Sequence, residues 1–538
     1  MAFTRKEFLK LGLVGGAGLA LSSGASASSP LGRASRTTGN LLRSKAQLPK
    51  PFMIPLLVPP VLKPVRTDSW ARETRSSTDY YEITHKEGKA EILPGLTTAL
   101  WGYDGIFPGP TIESRSGRKI IVRYHNELPV PVTTHLHGGR TPPGSDGYPT
   151  DLILPRRSSS HTHHEHPAHP AWSFHRGSKD YVYPLEQRAA TLWYHDHRMD
   201  FTGPHIWRGL AGFHIIHDDE EDELPLPKDK KDVPLMICDR AFGEGGSFVY
   251  PSLDPSLEGK PGVKGNYMDG VLGDTILVNG VPWPFMEVSN TRYRFRILNA
   301  SNARRYRLAL DPGPSEGLPF VQVGSDGGLL GAPISHHTIP IAPAERFDVV
   351  IDFSKYPVGT KVTLKNRLGL GTTSRVMRFH VVRKAKERSA VPERLSDMDE
   401  VQALGESNAR LTSKFSFTRA FHNGHEVWAI NGKVFSPSRI DARPKLGSTE
   451  IWELTTDMHH PVHIHLVHFK VLSRNKVLSR NGGEPPPTDA GWKDTIDLRP
   501  FEVARVLARF DGYRGKYVLH CHNLEHEDMM MMANFEVV

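Results

Sequence analysis

The chain has 538 residues, of which 38% are hydrophobic and 23% charged, and its formal net charge is +8 at pH 7. The basic residues are scattered, without a basic block interleaved with aromatics, which argues against nucleic-acid binding. The only two cysteines, Cys238 and Cys521, exclude a disulfide framework. At roughly 100–200 residues per domain, with 48 glycines and 43 prolines, we expect a soluble, β-rich, multidomain protein.

Residues 1–27 have the pattern of an export signal. Arg5 and Lys6 precede a Gly/Ala/Leu stretch, and residues 25–27 form a small-residue cleavage site. The segment resembles a twin-arginine signal with lysine in the second basic position, and its weakly apolar core favours that route over ordinary secretion. Residues 11–21 fall short of the ~20 needed to span a bilayer. We therefore expect a periplasmic, extracellular or cell-surface protein without stable membrane insertion.

The next segment, residues 28–50, is rich in Ser, Thr, Arg and Pro and lacks periodicity, so it predicts a disordered tether with folded structure beginning near Pro51. From Tyr80 onward, short apolar runs alternate with Gly/Pro turns. Such spacing is typical of a β-sandwich or barrel.

Two charged stretches divide the folded part. The acidic run 218–223 predicts a linker, and the helix-compatible stretch 384–408 predicts a second one. The resulting domains span residues 51–224, 225–395 and 396–538.

The middle domain carries period-two alternation, with Tyr293, Phe295 and Ile297 between Arg292, Arg294 and Arg296. The alternation predicts a strand with one buried and one solvated face. Since this domain has no His-x-His pair, we expect it to be structural.

Histidine pairs recur outside the middle domain. In a strand, alternate side chains share a face, so each His-x-His pair presents both imidazoles to one side. A single pair is more often an ordinary surface or core feature, but four pairs supply eight imidazoles, more than one metal ion binds. The pairs are His135/His137, His195/His197, His463/His465 and His520/His522.

Cys521 stands between two of these histidines and therefore faces the other way. With His460, His526 and a nearby methionine it forms the ligand set of a blue-copper site. Zinc also binds Cys/His clusters, but thiolate with imidazole in a redox role favours copper. An electron at Cys521 has a short covalent route to His520 and His522.

These clusters resemble the four signature motifs of the multicopper oxidases. Neighbouring phrases match the branch of bacterial spore-coat laccases and bilirubin oxidases, at residues 101–111, 145–149, 323–330 and 342–348. The resemblance covers the chain from about Pro51 to Val538. It implies an all-β protein of three cupredoxin-like Greek-key β-barrel domains that binds four copper ions, one type 1, one type 2 and two type 3.

The resemblance also implies the ligands. Type 1 copper would be held by His460, Cys521 and His526, with Met531 axial, selected from four adjacent methionines by its spacing to Cys521. Type 2 copper would take His135 and His463. The type 3 pair would take His137, His195, His197, His465, His520 and His522.

Reduction of dioxygen to water also consumes protons. In this branch, acids that follow the histidine ligands relay them, which points to Glu527 and Asp146. The alternative role for both is a structural hydrogen bond to a ligand histidine. Donors would give up electrons at an exposed edge of His526.

The expected activity is a laccase-like oxidation of phenolic or aromatic amine donors, bilirubin-like tetrapyrroles among them, coupled to reduction of dioxygen to water by a monomer. Aminophenol coupling of the phenoxazinone synthase kind and cuprous oxidation are alternatives within the same chemistry. A copper-binding or coat-structural protein without turnover is the alternative from another class.

One further histidine-rich segment, residues 161–169, fits either an accessory copper-collecting loop or a polar surface loop. Interruption by Pro favours the surface loop.

Overall fold

A computed structural model describes residues 38–68, 77–156, 171–251, 267–397, 409–476 and 483–538. The predicted export signal and the histidine-rich segment 161–169 lie outside these ranges. Of the helices that the structure describes, none is long and apolar enough to cross a bilayer.

About half of the described residues form β-strands. The larger sheets of this part of the chain form three pairs, and there are two further two-stranded sheets, which pair Asn40–Leu41 with Val271–Leu272 and Asp151–Leu154 with Ser173–Arg176. The strands of the N-terminal part are β1 (Asn40–Leu41), β2 (Val61–Leu62), β3 (Arg66–Asp68), β4 (Thr78–Leu93), β5 (Leu96–Tyr103), β6 (Gly109–Arg115), β7 (Ile120–Asn126), β8 (Thr134–His137), β9 (Asp151–Leu154), β10 (Ser173–Arg176), β11 (Ser178–Tyr183), β12 (Ala190–Asp196) and β13 (Ala211–His217). One sheet has the order β11-β7-β4-β3 with β5 also on β4, and the other β2-β6-β13-β12-β8. Together they form the first sheet pair.

The middle sheet pair follows. Its part of the chain contains β14 (Asp232–Arg240), β15 (Val271–Leu272), β16 (Thr275–Val278), β17 (Val281–Pro282), β18 (Phe285–Ser289), β19 (Arg292–Asn299), β20 (Tyr306–Asp311), β21 (Phe320–Ser325), β22 (Gly328–His336), β23 (Ile339–Ile341), β24 (Arg346–Asp352), β25 (Lys361–Asn366) and β26 (Arg375–Arg383). The sheet orders are β17-β16-β14-β19-β24-β21-β22 and β18-β26-β25-β20-β23.

The third sheet pair completes the chain. Its strands are β27 (Arg410–His422), β28 (His425–Ile430), β29 (Ser448–Thr456), β30 (His460–Ile464), β31 (Phe469–Lys476), β32 (Thr495–Leu498), β33 (Glu502–Phe510), β34 (Gly515–Cys521) and β35 (Met532–Val537). The orders are β28-β27-β29-β33-β31 and β32-β30-β34-β35. The predicted all-β class with three cupredoxin-like units is confirmed.

Helices are short. They are α1 (Thr202–Arg208), α2 (Asp219–Glu223) and α3 (Leu524–Asp528), with 3₁₀ turns at Pro143–Ser145, Asp229–Lys231, Phe353–Lys355, Gly371–Ser374 and Pro487–Asp489. Each sheet pair encloses its own apolar core, and a further cluster contains Trp193 of β12, Cys238 of β14 and Leu524 of α3. Cys238 is fully buried there, in agreement with a packing role.

Two expectations from the sequence are wrong. The tether prediction fails from Thr38 onward, since β1 pairs in parallel with β15 and Ser44 binds Asp274 through its backbone and hydroxyl. These anchors are backbone pairing and polar contacts, which leave no apolar periodicity in the sequence.

The predicted linker 384–408 follows β26 and precedes β27, and its described residues 384–397 form no helix despite their helix-compatible composition. The backbone there bonds to other segments instead, with Ala390 N donating to Pro225 O and Leu395 N to Gly331 O. Residues 398–408 lie outside the description.

The predicted solvated face of β19 is buried. Arg294 and Arg296 are 3% and 1% exposed and pair with Glu221 and Asp232. The acidic run predicted as a linker forms α2 between β13 and β14. It supplies Glu221 to a buried ion cluster, in which the carboxylate is paired with the two arginines because an unpaired buried charge would be costly.

Candidate metal centre

Four His-x-His pairs meet between the first and third sheet pairs. In the first pair, β8 and β12 are antiparallel neighbours with His135 opposite His195. In the third, β30 and β34 place His463 opposite His520. None of the eight imidazoles predicted to share a cavity is more than 1% exposed. The structure brings all eight together.

Their ring nitrogens fall into three sets. Two are triads whose nitrogens lie within 4.8 Å of one another: His137, His195 and His522, and His197, His465 and His520. Within the second triad, Nε2 of His520 lies 3.2 Å from Nε2 of both partners. The remaining two, His135 and His463, place their Nε2 atoms 3.3 Å apart. We call the three sets together the histidine cluster.

The cluster contains buried nitrogens without a hydrogen-bond partner among the described residues. They are His137 Nδ1, His195 Nε2, His197 Nδ1 and both ring nitrogens of His522. Since buried polar atoms are nearly always partnered, a metal ion would supply the missing contacts. Burial lowers the pKa of His195 to about 3 and that of His197 to about 4, so both imidazoles are neutral, the form that binds metal. The residues present therefore fit metal ions.

The opposite ring nitrogens are held by the protein. Nδ1 of His135 donates to the Asp146 carbonyl at 2.6 Å, and Nδ1 of His463 donates to the Asp494 carbonyl at 2.9 Å. Nδ1 of His465 donates to Oδ2 of Asp146 at 2.8 Å. Such bonds fix the tautomer and leave each Nε2 lone pair directed at the cluster.

Both predicted acids touch cluster histidines. Oε2 of Glu527 lies 3.0 Å from Nδ1 of His520, and Oε1 lies 3.4 Å from Nδ1 of His197. Burial favours the neutral acid, but these imidazoles lower the pKa of Glu527. Burial raises the pKa of Asp146 to about 8. The contacts are those expected of an acid that positions a ligand, and they also place both carboxyl groups beside the cluster.

A second group surrounds Cys521. Its Sγ lies 3.4 Å from Nδ1 of His460 and 3.5 Å from Nδ1 of His526, and these two nitrogens are 3.0 Å apart. Met531 is fully buried in the same apolar core as Cys521, whereas Met532 packs in a separate cluster. The backbone holds Met531 close, since Cys521 N donates to its carbonyl and its own N donates to the carbonyl of His526. We call His460, Cys521, His526 and Met531 the thiolate group.

The prediction of an exposed edge on His526 is wrong. The residue is 2% exposed, and the indole of Trp428 stacks on its imidazole with centroids 4.0 Å apart. Its Nε2 lies 3.1 Å from the side-chain amide of Asn523. The guanidinium of Arg419 lies 4.8 Å from the centroid of the same indole, and one third of the Arg419 side chain is exposed.

Sequence reasoning missed Asp494 and the role of Arg346. Oδ1 of Asp494 lies 3.0 Å from Nε2 of His137, and Thr495 Oγ1 lies 3.1 Å from the same atom. Arg346 forms a two-point ion pair with Asp494. The sequence offered one indication of Arg346, since it lies in the segment 342–348 that resembles the family, but that segment does not indicate its partner.

Comparison with known proteins gives consistent matches. Models of the family described as "Multicopper oxidase" match residues 84–221 and 406–538. A laccase of Bacillus subtilis is 38% identical over 90% of this chain and 98% of its own length. A bilirubin oxidase of Albifimbria verrucaria is 34% identical over 97% and 88%. Among solved structures, a laccase from Pediococcus acidilactici superposes with a TM-score of 0.75 at 31% identity, over 92% of this chain and 96% of the other.

Proposed function

The chain belongs to the multicopper oxidase family, enzymes that use dioxygen as electron acceptor, and on that premise we propose that it oxidises phenolic and aromatic amine donors one electron at a time. The observation that carries this proposal is the covalent link between the two groups. Cys521 belongs to the thiolate group, and its chain neighbours His520 and His522 belong to the two triads. Donor oxidation and dioxygen reduction can therefore occur at separate places joined by single peptide units.

We assign four copper ions to these residues. The thiolate group, including Met531, would hold the type 1 ion, and His135 with His463 would hold the type 2 ion. The type 3 ions would be held by the two triads. When bound, these ions accept single electrons from a donor and deliver four to dioxygen. Support for Met531 comes from the core that it shares with Cys521.

We propose that Glu527 and Asp146 handle protons. Glu527 contacts His197 and His520, two members of one triad, and its Oε1 accepts a hydrogen bond from Thr202 Oγ1 at 2.7 Å. Asp146 reaches the same triad through His465. Two carboxyl groups in contact with the histidines of one triad are suited to deliver protons to reduced oxygen.

Because Trp428 and His526 are both buried, we propose that donors bind at the surface beside Arg419. The indole covers the imidazole face, and Arg419 lies over the indole with one third of its side chain exposed. Arg419 is itself paired with Asp269 and Glu426. A flat aromatic donor at this polar rim would be separated from His526 by the guanidinium and the indole.

An oxygen-electrode panel tests the function. Syringyl phenols, 2-aminophenol, bilirubin and Cu(I) are compared as donors under identical conditions. The proposal expects phenols and aromatic amines to support the fastest uptake of dioxygen. Fastest turnover with Cu(I) would instead identify a cuprous oxidase, and selective coupling of 2-aminophenol a phenoxazinone synthase-like enzyme.

We also propose export by the twin-arginine route and a monomeric state. Support for export is the Arg5-Lys6 pair with its weakly apolar core and small-residue cleavage site. N-terminal sequencing of protein exported with and without the twin-arginine translocase tests the route, with cleavage after Ala27 expected. Light scattering of the purified protein tests the monomer.

A further inference from the structure

A residue of the middle sheet pair reaches the histidine cluster. Arg346 begins β24 and is 1% exposed. Its Nη1 donates to Oδ1 of Asp494 at 2.8 Å, and its Nη2 bonds Oδ2 of the same carboxylate. Two parallel bonds between a guanidinium and a carboxylate fix orientation as well as distance. The middle sheet pair, which supplies none of the cluster histidines, therefore holds a carboxylate at its border.

Asp494 connects this ion pair to two histidines of different sets. Its Oδ1 lies 3.0 Å from Nε2 of His137, and its carbonyl accepts a hydrogen bond from Nδ1 of His463 at 2.9 Å. The two imidazoles stack with centroids 3.6 Å apart. Nε2 of His137 is thus held by the carboxylate, and its Nδ1, which has no hydrogen-bond partner among the described residues, is available to bind metal with the other two histidines of its triad.

The guanidinium is fixed from all sides. Its Nε donates to the carbonyl of Thr191 in β12, Nη1 to that of Ala344, and Nη2 to that of Asp326. Arg346 thus joins a strand of the first sheet pair to Asp494, just before β32 of the third. Lysine has three donors on a flexible stem and cannot reproduce this planar set.

The chain next to His137 leaves room for the ion pair. Gly138 has φ +86°, and a Cβ there would lie 2.7 Å from Nη2 of Arg346 and 2.8 Å from Oδ2 of Asp494. Any larger residue would have to displace the ion pair. The local backbone is therefore shaped around it.

We propose that Arg346 is a positioning residue of the histidine cluster, acting through Asp494 to present His137 and His463 to copper. The proposal rests on the copper assignment of the proposed function. It makes the middle sheet pair part of the oxygen-reducing site rather than a spacer. Loss of a group that orients a metal ligand typically costs about 10–100-fold in metal affinity.

The test compares Arg346→Met with Arg294→Met. Arg294 is a matched control, since it is also a buried arginine of the middle sheet pair in a two-point ion pair, with Asp348, and its partners Asp348, Glu221 and Asp232 lie outside the cluster. Copper per chain, the paramagnetic resonance signals of type 1 and type 2 copper, and the melting temperature are measured for both.

Arg346→Met is expected to keep the type 1 signal and to bind cluster copper about 10–100-fold more weakly, whereas Arg294→Met retains all copper. Equal copper loss in both variants, or full cluster copper in Arg346→Met, would overturn the proposal. If Arg346→Met does not fold, Arg346→Lys decides: cluster affinity at least fivefold weaker with an intact type 1 signal supports the proposal, and unchanged affinity overturns it. A wild-type protein that binds four coppers but does not reduce dioxygen would contradict the proposed function. The copper contents of the two variants could still be compared in that case.

Discussion

His520 and Cys521 are adjacent in the chain, yet their side chains belong to different groups. Nε2 of His520 lies 3.2 Å from Nε2 of His465, and Sγ of Cys521 lies 3.4 Å from Nδ1 of His460. The alternation of a β-strand produces this separation with a single peptide unit between the two sites. Electron transfer between the groups follows from that adjacency.

Replacing the thiolate tests its role. Cys521→Ser is expected to lose the intense blue absorption and all oxidation of phenols, because the hydroxyl is a poor ligand for the same copper. Cys238→Ser is the matched control, a buried cysteine outside both groups, and should keep the blue band. Visible spectra and phenol turnover of the two variants decide. Phenol oxidation retained by Cys521→Ser would refute the assignment.

The indole over His526 should control the thiolate group's reduction potential. Trp428→Ala is expected to admit water to His526 and lower that potential, since the apolar shell of a metal site sets its solvent access. Both this variant and Trp452→Ala should lose about 3–5 kcal/mol of unfolding free energy. Trp452 is buried in the same core, and its ring packs against those of Phe415, Phe510 and Phe535. Redox titrations with equal potentials in the two variants would contradict the prediction.

The backbone at Gly138 should matter beyond its positive φ. Gly138→Ala and Gly117→Ala both place alanine at positive φ, which costs about 1–2 kcal/mol. No atom lies within 4 Å of a Cβ at Gly117, whereas one at Gly138 would meet Arg346 and Asp494. Denaturant unfolding should show the shared loss, and copper analysis should show cluster copper lost from Gly138→Ala alone. Full copper in Gly138→Ala would show that the ion pair can shift freely.

The buried ion cluster of α2 predicts a pH-dependent stability. Glu221 lies 2.7 Å from Arg294 and 2.8 Å from Arg296. Burial alone would raise its pKa, but these arginines lower it below the usual 4.5. The carboxylate therefore stabilises the fold fully above that value, and the stabilisation is lost as pH falls toward the lower pKa of the folded state.

Glu221→Gln should thus lower the free energy of unfolding by about 3–5 kcal/mol at pH 7 and by less below pH ~4. Urea unfolding at a series of pH values measures the difference. Asp219→Asn is the control, because its ion pair with Arg115 is exposed and contributes about 1 kcal/mol or less. If the difference in unfolding free energy between wild type and Glu221→Gln grew as the pH fell, its pH dependence would have the opposite sign to the one expected and this explanation would be wrong.

The sequence alone could predict those parts of the site in which ligand residues lie close together in the chain. His135 and His137 share a face because strands alternate, and the same rule separates Cys521 from His520. It could not predict contacts between distant segments. Arg346 and Asp494 are 148 residues apart, and neither carries a local pattern that indicates the other.

The fold shows the same limit. The alternation at β19 correctly predicted a strand, but Arg294 was expected to face solvent and instead pairs with buried acids contributed by α2 and β24. Charge alone cannot distinguish a solvated face from a paired, buried one. In residues 384–397, whose composition is compatible with a helix, backbone groups instead form hydrogen bonds with other segments of the chain.

Electrons from single-electron donors are expected to reach the histidine cluster and to reduce dioxygen fully to water. Simultaneous measurement of donor oxidation, oxygen uptake and hydrogen peroxide tests this expectation most directly. We expect four donor molecules to be oxidised per dioxygen consumed, with no peroxide accumulating. Two donors per dioxygen, with peroxide formed in equal amount, would contradict it.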